Sequence, residues 1–143
     1  RGASLDFNNF RLEKPYDPWR EYGQSKLADL MFALEFDRRL RASGSHILSL
    51  AAHPGVSQTE LTRNLGDIPA GITMMAPVDG AAPALVAATS PNVASGQYWG
   101  PDGDDERSGK PGLAIVDSSA LRDGEAARLW DWAEKATGVR YPN

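Results

Sequence analysis

The sequence predicts an α/β fold built on a parallel sheet, of which this chain carries only part. Two observations lead there. A long amphipathic helix ending at Gly44 runs straight into a short apolar stretch, "HILSLAA", that stops at Pro54-Gly55. Helix, strand and tight turn in that order make half of a βαβ unit. Two further helical segments follow, yet "QYW" is the only other strand candidate. Two strands are too few for a sheet that so many helices would cover, so the missing strands are expected upstream of Arg1.

Taken in order, residues 1–20 read as loop, broken by Asn8, Asn9, Pro15 and Pro18. A helix is predicted from about Tyr22 to Ala42. Pro18 lies just before it, where proline is tolerated. Gly44 stops it, and Arg38, Arg39 and Arg41 sit in its last turns, where the helix dipole favours cations. Its apolar residues form two stripes: Leu27, Leu30, Met31 and Leu34, then Ala28, Phe32, Phe36 and Leu40. So wide an apolar arc predicts cover on two sides, by a sheet and by another helix.

His46–Ala52 is predicted as a buried strand. Thr59 to Ile72 is polar, with room for one helical turn. Pro77 to Thr89 is Ala-rich and helical, with Pro83 inside it as a source of a kink or a late start. Gln97-Tyr98-Trp99 is the second strand, and "GPDGDDERSGKPG" reads as an exposed polar loop. Ala120 to Thr137 closes the chain as a helix capped by Ser118 or Ser119, its inner face drawn from Leu121, Ala127, Leu129, Trp130 and Ala133.

The bulk numbers narrow the function. The 143 residues suit one domain, and 41% hydrophobic with 24% charged is ordinary globular composition. A net charge of −4 argues against a nucleic-acid surface. There is no cysteine, and His46 and His53 have no metalloprotease spacing, so no metal site is predicted. No apolar run approaches bilayer length, which predicts a soluble cytoplasmic protein.

The chemistry lies at the start of the first helix, in "YGQSK". Tyr22 and Lys26 are one turn apart and therefore share a face. A free phenol titrates near pH ~10 and is a poor base at neutrality. A neighbouring ammonium favours the phenolate and lowers that value. A phenol so tuned can give a proton to a carbonyl oxygen or take one from an alcohol. Taken alone the pair needs no function, and a surface contact explains it more simply. Ser25 reads as a small packing residue, His53 as structural, Trp99, Trp130 and Trp132 as core or interface, and Asp104, Asp105 and Glu106 as a solvated turn.

The pair has company. "YGQSKLA" at Tyr22–Ala28, then "AAHPGVSQTEL" at Ala51–Leu61, then "GQYWGPDG" and "LRDGEAARLWDWAEKATGV" together resemble the short-chain dehydrogenase/reductase family, in particular its retinol-dehydrogenase-like branch. The resemblance covers essentially the whole chain. It implies the C-terminal portion of a doubly wound, Rossmann-type domain, with residues 1–143 forming part of that single domain. It implies an NAD- or NADP-dependent oxidoreductase acting on a small-molecule carbonyl or alcohol. Tyr22 would be the catalytic acid/base, and Lys26 would tune it and bind the nicotinamide ribose. Pro54, Gly55 and Val56 would form the turn beside the nicotinamide, with Val56 main-chain groups at the carboxamide and Thr59 at the same end. Gln58 and residues to about Ile72 would cover the substrate. In many relatives the second helix stripe makes a homodimer.

Several family features are not in this sequence. It has no glycine-rich phosphate turn of the kind that holds a pyrophosphate, and no Asn-Asn-Ala-Gly; Asn8-Asn9 is followed by Phe10. Ser4 is the only serine before Tyr22 and a poor candidate for the family's catalytic serine. The resemblance therefore implies that these parts, and the choice between NAD and NADP, lie upstream, and that the isolated chain is inactive. The alternative is a non-catalytic module whose sheet edge and apolar helix face are completed by a partner.

Overall fold

A computed structural model describes residues 2–61 and 74–141. The chain falls into two compact units, one drawn from residues up to Ser49 and from Val116 onward, the other from Leu50–Ile115.

The first unit is a helix pair with an ordered lead-in. Helix α1 is Pro18–Ala42 and starts before the predicted Tyr22. The reason is Asp17. Its carboxylate accepts from the N–H of Trp19 at 3.0 Å and of Arg20 at 2.9 Å, satisfying donors that have no partner inside the helix. Pro18 then takes the first helical position and lies inside the helix. The other end is as predicted: Ser43 follows the last turn, and Gly44 closes it at φ +68°.

The partner of α1 is the last helix, α3, Asp123–Thr137. It is preceded by a 3-10 turn at Ser118–Leu121. Asp117 caps this turn, and α3 itself follows Arg122 with no side-chain cap, so neither predicted serine caps the helix. Asp117 accepts from the Ser119 N–H at 2.9 Å and from its hydroxyl at 2.6 Å. Leu121 therefore sits in the turn and is exposed, contrary to its predicted place on the inner face. Leu27 and the fully buried Met31 of α1 pack with Ala120, Ala126 and Leu129, and Ala3, Leu5, Phe7 and Phe10 of the lead-in lie against this cluster. The second stripe of α1 meets aromatic rings of the C-terminal segment, with Phe36 5.1 Å from Tyr141. Phe32 stacks on Trp130 with centroids 5.0 Å apart, and Phe36 lies 5.8 Å from it.

The second unit is a three-stranded sheet with one helix. Strand β1 is Ala51–Ala52, β2 is Tyr98–Pro101 and β3 is Pro111–Leu113, in the order β1-β2-β3. β1 and β2 are parallel, with Ala51 opposite Tyr98; β2 and β3 are antiparallel, with Trp99 opposite Leu113. The predicted strand over His46–Ala52 is thus realised only at its end. A strand exists where a neighbour takes its N–H and C=O groups, and β2 reaches only the last two residues. Ile47 is 62% exposed, and Ser49 turns inward to donate its hydroxyl to the Ala33 carbonyl at 2.7 Å. Helix α2 is Pro77–Thr89, as predicted, and continues through Pro83. It buries Gly80, Pro83 and Ala87, small residues on one face that let it lie close to the sheet.

The predicted loop "GPDGDDERSGKPG" is not simply exposed. It contains the end of β2, the start of β3 and a half-buried Glu106. Residues 62–73, which include most of the expected substrate-covering segment, lie outside the described residues.

Candidate functional site

The expected site residues divide between the two units, and each group is described within its own. Tyr22, Ser25 and Lys26 are on the first turns of α1. The opposite side of those turns is fastened to the lead-in. The buried Asn9 donates from Nδ2 to Glu21 Oε1 at 2.8 Å and accepts the Lys14 N–H at 2.7 Å. The buried Gln24 accepts the Asp6 N–H at 2.5 Å. With Glu21, Gln24 and Leu27 held inward, helix geometry turns Tyr22, Ser25, Lys26 and Asp29 outward on one face. Tyr22 is 52% exposed.

Lys26 is paired on that face with a residue the sequence reading did not weigh. Its Nζ donates to Asp29 Oδ2 at 2.8 Å. That hydrogen bond raises the ammonium's pKa above its ordinary value, against a smaller opposing effect of burial; the charges of Asp29 and Tyr22 add to the rise. Lys26 is therefore a protonated donor at neutral pH. The signal was available, since Asp29 follows Lys26 at helix spacing. Ser25 is exposed and does not serve as the expected packing residue; its hydroxyl donates to the Tyr22 carbonyl at 2.8 Å.

In the second unit, Pro54, Gly55 and Val56 form a turn directly after β1. Gly55 has φ +62°, which glycine adopts without strain, and a Cβ there would lie 2.4 Å from the Arg107 carbonyl oxygen. The Val56 N–H donates to that same oxygen at 2.7 Å, and the Val56 carbonyl accepts the Met75 N–H at 2.9 Å. A carbonyl has a second lone pair and an N–H has no second proton. In this arrangement Val56 can offer an oxygen to an amide donor, while its N–H is already used. Thr59 is exposed, beyond the Ser57–Met75 bridge.

His53, which the sequence leaves without a partner, has several neighbours in the fold. Its Nδ1 accepts the Gly55 N–H at 3.2 Å, its Nε2 lies 3.4 Å from Glu106 Oε2, and its ring is 5.1 Å from that of Tyr98.

The fold defines the class first: a mixed α/β structure with a small sheet containing a parallel pair, consistent with part of a doubly wound domain. It is similar to the crystal structure of an uncharacterized protein from Mycobacterium paratuberculosis, with a TM-score of 0.76 and 30% identity, covering 99% of this chain and 47% of that one. The sequence is 29% identical over 148 residues to retinol dehydrogenase 14 of Homo sapiens, covering 96% of this chain and 41% of that protein. It is 34% identical over 93 residues to a short-chain dehydrogenase/reductase of Emericella nidulans, covering 63% of this chain and 30% of that protein. No family model matches. Homologues of this chain are thus retinol dehydrogenases and short-chain dehydrogenases/reductases, and the longer of these matches cover most of it. The chain spans less than half the length of the two named relatives. Among the described residues, no helix is long and apolar enough to cross a membrane.

Proposed function

We propose that this chain is part of an NAD(P)-dependent oxidoreductase that interconverts a carbonyl and an alcohol, with Tyr22 as the acid/base. The observation that carries the reading is the single outward face of α1, on which the Tyr22 phenol and the Lys26 ammonium stand one turn apart while the other face is anchored in the core.

Each unit, taken by itself, carries groups of the kind a nicotinamide and its ribose require. A bound nicotinamide would deliver or accept the hydride at the substrate carbon. Tyr22 Oη–H would give its proton to the carbonyl oxygen in reduction and recover one from the alcohol in oxidation. Lys26, protonated, would donate to a ribose hydroxyl. To do so it exchanges Asp29 for the sugar, and an exposed ion pair is held by only about 0–1 kcal/mol, so the exchange is easy. The Val56 carbonyl would accept from the carboxamide NH2, and Pro54 and Gly55 would shape the wall beside the ring, with Thr59 nearby. The resemblance to short-chain dehydrogenases/reductases supports the same assignments.

The test is Tyr22→Phe in the intact protein that carries this chain. Turnover should fall by about 10²-fold or more, the worth of a positioned acid/base, while NADH or NADPH still binds. Unchanged turnover would sink the assignment.

A second reading has one observation behind it. Ile47 and Leu48 are exposed just ahead of β1, and β1 is paired to β2 on one side. A non-catalytic module completed by a protein partner would present such a surface. It predicts an obligate complex and no cofactor binding, and a stable monomer on gel filtration would count against it.

A further inference from the structure

We infer that His53 and Glu106 are positioning residues. Together they lock the Pro54–Val56 turn onto the loop that joins β2 to β3, and so fix where the Val56 carbonyl points. The inference rests on the cofactor reading above and extends it to two residues to which that reading assigns no ligand contact.

The lock begins with a tautomer. His53 Nδ1 accepts the Gly55 N–H at 3.2 Å. A ring nitrogen that accepts carries no proton, so the proton of the neutral ring is on Nε2. That atom faces Glu106 Oε2 at 3.4 Å. The other carboxylate oxygen, Oε1, accepts the Ile115 N–H at 2.6 Å. One side chain from β1's end and one from the loop thereby lie between the Gly55 amide and the Ile115 amide, in contact with each other at 3.4 Å without a hydrogen bond between them.

The backbone is shaped to allow it. The imidazole stands over Gly100 in β2, where any Cβ would lie 2.0 Å from Nε2. Asp105 and Glu106 both have positive φ, 52° and 56°, a region that non-glycine residues seldom occupy. That turn aims the Glu106 side chain back toward His53. The loop is closed on itself by the Gly103 N–H to the Ser108 carbonyl at 2.9 Å and the Lys110 N–H to Asp102 Oδ1 at 2.8 Å. Finally, the Val56 N–H to the Arg107 carbonyl at 2.7 Å ties the turn to the residue next to Glu106. A solvated acidic turn requires none of these features. A turn whose carbonyl is held for a ligand is served by each of them.

The experiment uses the intact protein carrying this chain, titrated with NADH and with NADPH. Glu106→Ala should weaken cofactor binding by about tenfold, since displacing a positioning group costs affinity without removing the chemistry. At saturating cofactor, kcat should stay close to wild type. Glu106→Gln, which keeps an acceptor for one of the two N–H groups, should recover part of the loss and guards against a folding defect in the alanine variant. Nitrogen-15 NMR of the wild type should show His53 with its proton on Nε2. Wild-type affinity in both Glu106 variants, or a His53 proton on Nδ1, would overturn the inference while leaving the cofactor reading standing. Failure of the wild-type protein to bind either nucleotide would overturn the cofactor reading itself.

Discussion

Glu35 offers a sharp test of what holds the helix pair. It lies in the middle of α1 and is only 2% exposed. Its carboxylate accepts from Arg38 Nε at 2.7 Å and Nη2 at 2.6 Å, and from Arg39 Nε at 2.6 Å. The Arg39 guanidinium also lies 4.6 Å over the Trp130 ring. Glu35 thus connects α1 to the aromatic cluster through Arg39. Burial alone would raise its pKa; the hydrogen bonds from Arg38 and Arg39, helped by their charges, outweigh burial and hold it below the ordinary value of 4.5. Because the folded value is the lower one, the stabilisation is complete above the unfolded pKa and is lost as pH falls through the folded value.

Glu35→Ala removes the acceptor of three charge-assisted bonds. Each is worth about 1.5–3 kcal/mol where it is not replaced by water. Both arginines reach solvent and rehydrate, so the net loss should be near ~2 kcal/mol at pH 7. Urea unfolding of the protein at pH 7 and pH 3.5 is the assay. Glu35→Ala should lower the midpoint at pH 7, and the gap from wild type should narrow at pH 3.5, below the ordinary value of 4.5 at which the unfolded chain takes up the proton. A loss below about 0.5 kcal/mol at pH 7, the scale of an ordinary surface change, would refute the reasoning. So would a gap that is the same at both pH values.

Two more expectations follow from backbone geometry. Gly55→Ala places a Cβ 2.4 Å from the Arg107 carbonyl at φ +62°. It should destabilise by about 1–3 kcal/mol, read as a fall in Tm, and a variant as stable as wild type would show that the turn can be rebuilt. Asp17→Ala removes the cap of α1 and should cost about 1 kcal/mol, with Asp17→Asn recovering most of it. Equal losses in the two variants would mean that the capping hydrogen bond is not what sets the helix start.

How far the sequence could be read depends on the range of the interaction concerned. Helix ends set by local chemistry were legible: Gly44 closes α1 and Thr89 ends α2 where expected. The early start of α1 and the 3-10 turn ahead of α3 came from overlooked aspartates, whereas α3 itself starts after Arg122 with no side-chain cap. Asp17 and Asp117 both cap through a side-chain oxygen, and "DPW" and "DSS" carried that signal in plain view. "HILSLAA" has the apolar content of a strand over its whole length, yet only Ala51–Ala52 is one, because a strand is defined by its neighbour and composition says nothing of where the neighbour ends. Tyr22 and Lys26 were legible for the opposite reason: their relation is fixed by the 3.6-residue period of one helix.

By itself, then, the sequence determined the existence of the helices, the shared Tyr22–Lys26 face and the Pro54-Gly55 turn, all of which depend on residues within one or two turns of each other. Tertiary structure alone decided that Lys26 spends its hydrogen bond on Asp29, that Glu35 is buried beneath two arginines, and that Glu106 leaves its acidic loop to meet His53. The last contact joins residues far apart in the chain. A carboxylate in "DDE" looks the same in sequence whether water or an imidazole surrounds it, and only the folded chain, by removing the water, makes the difference.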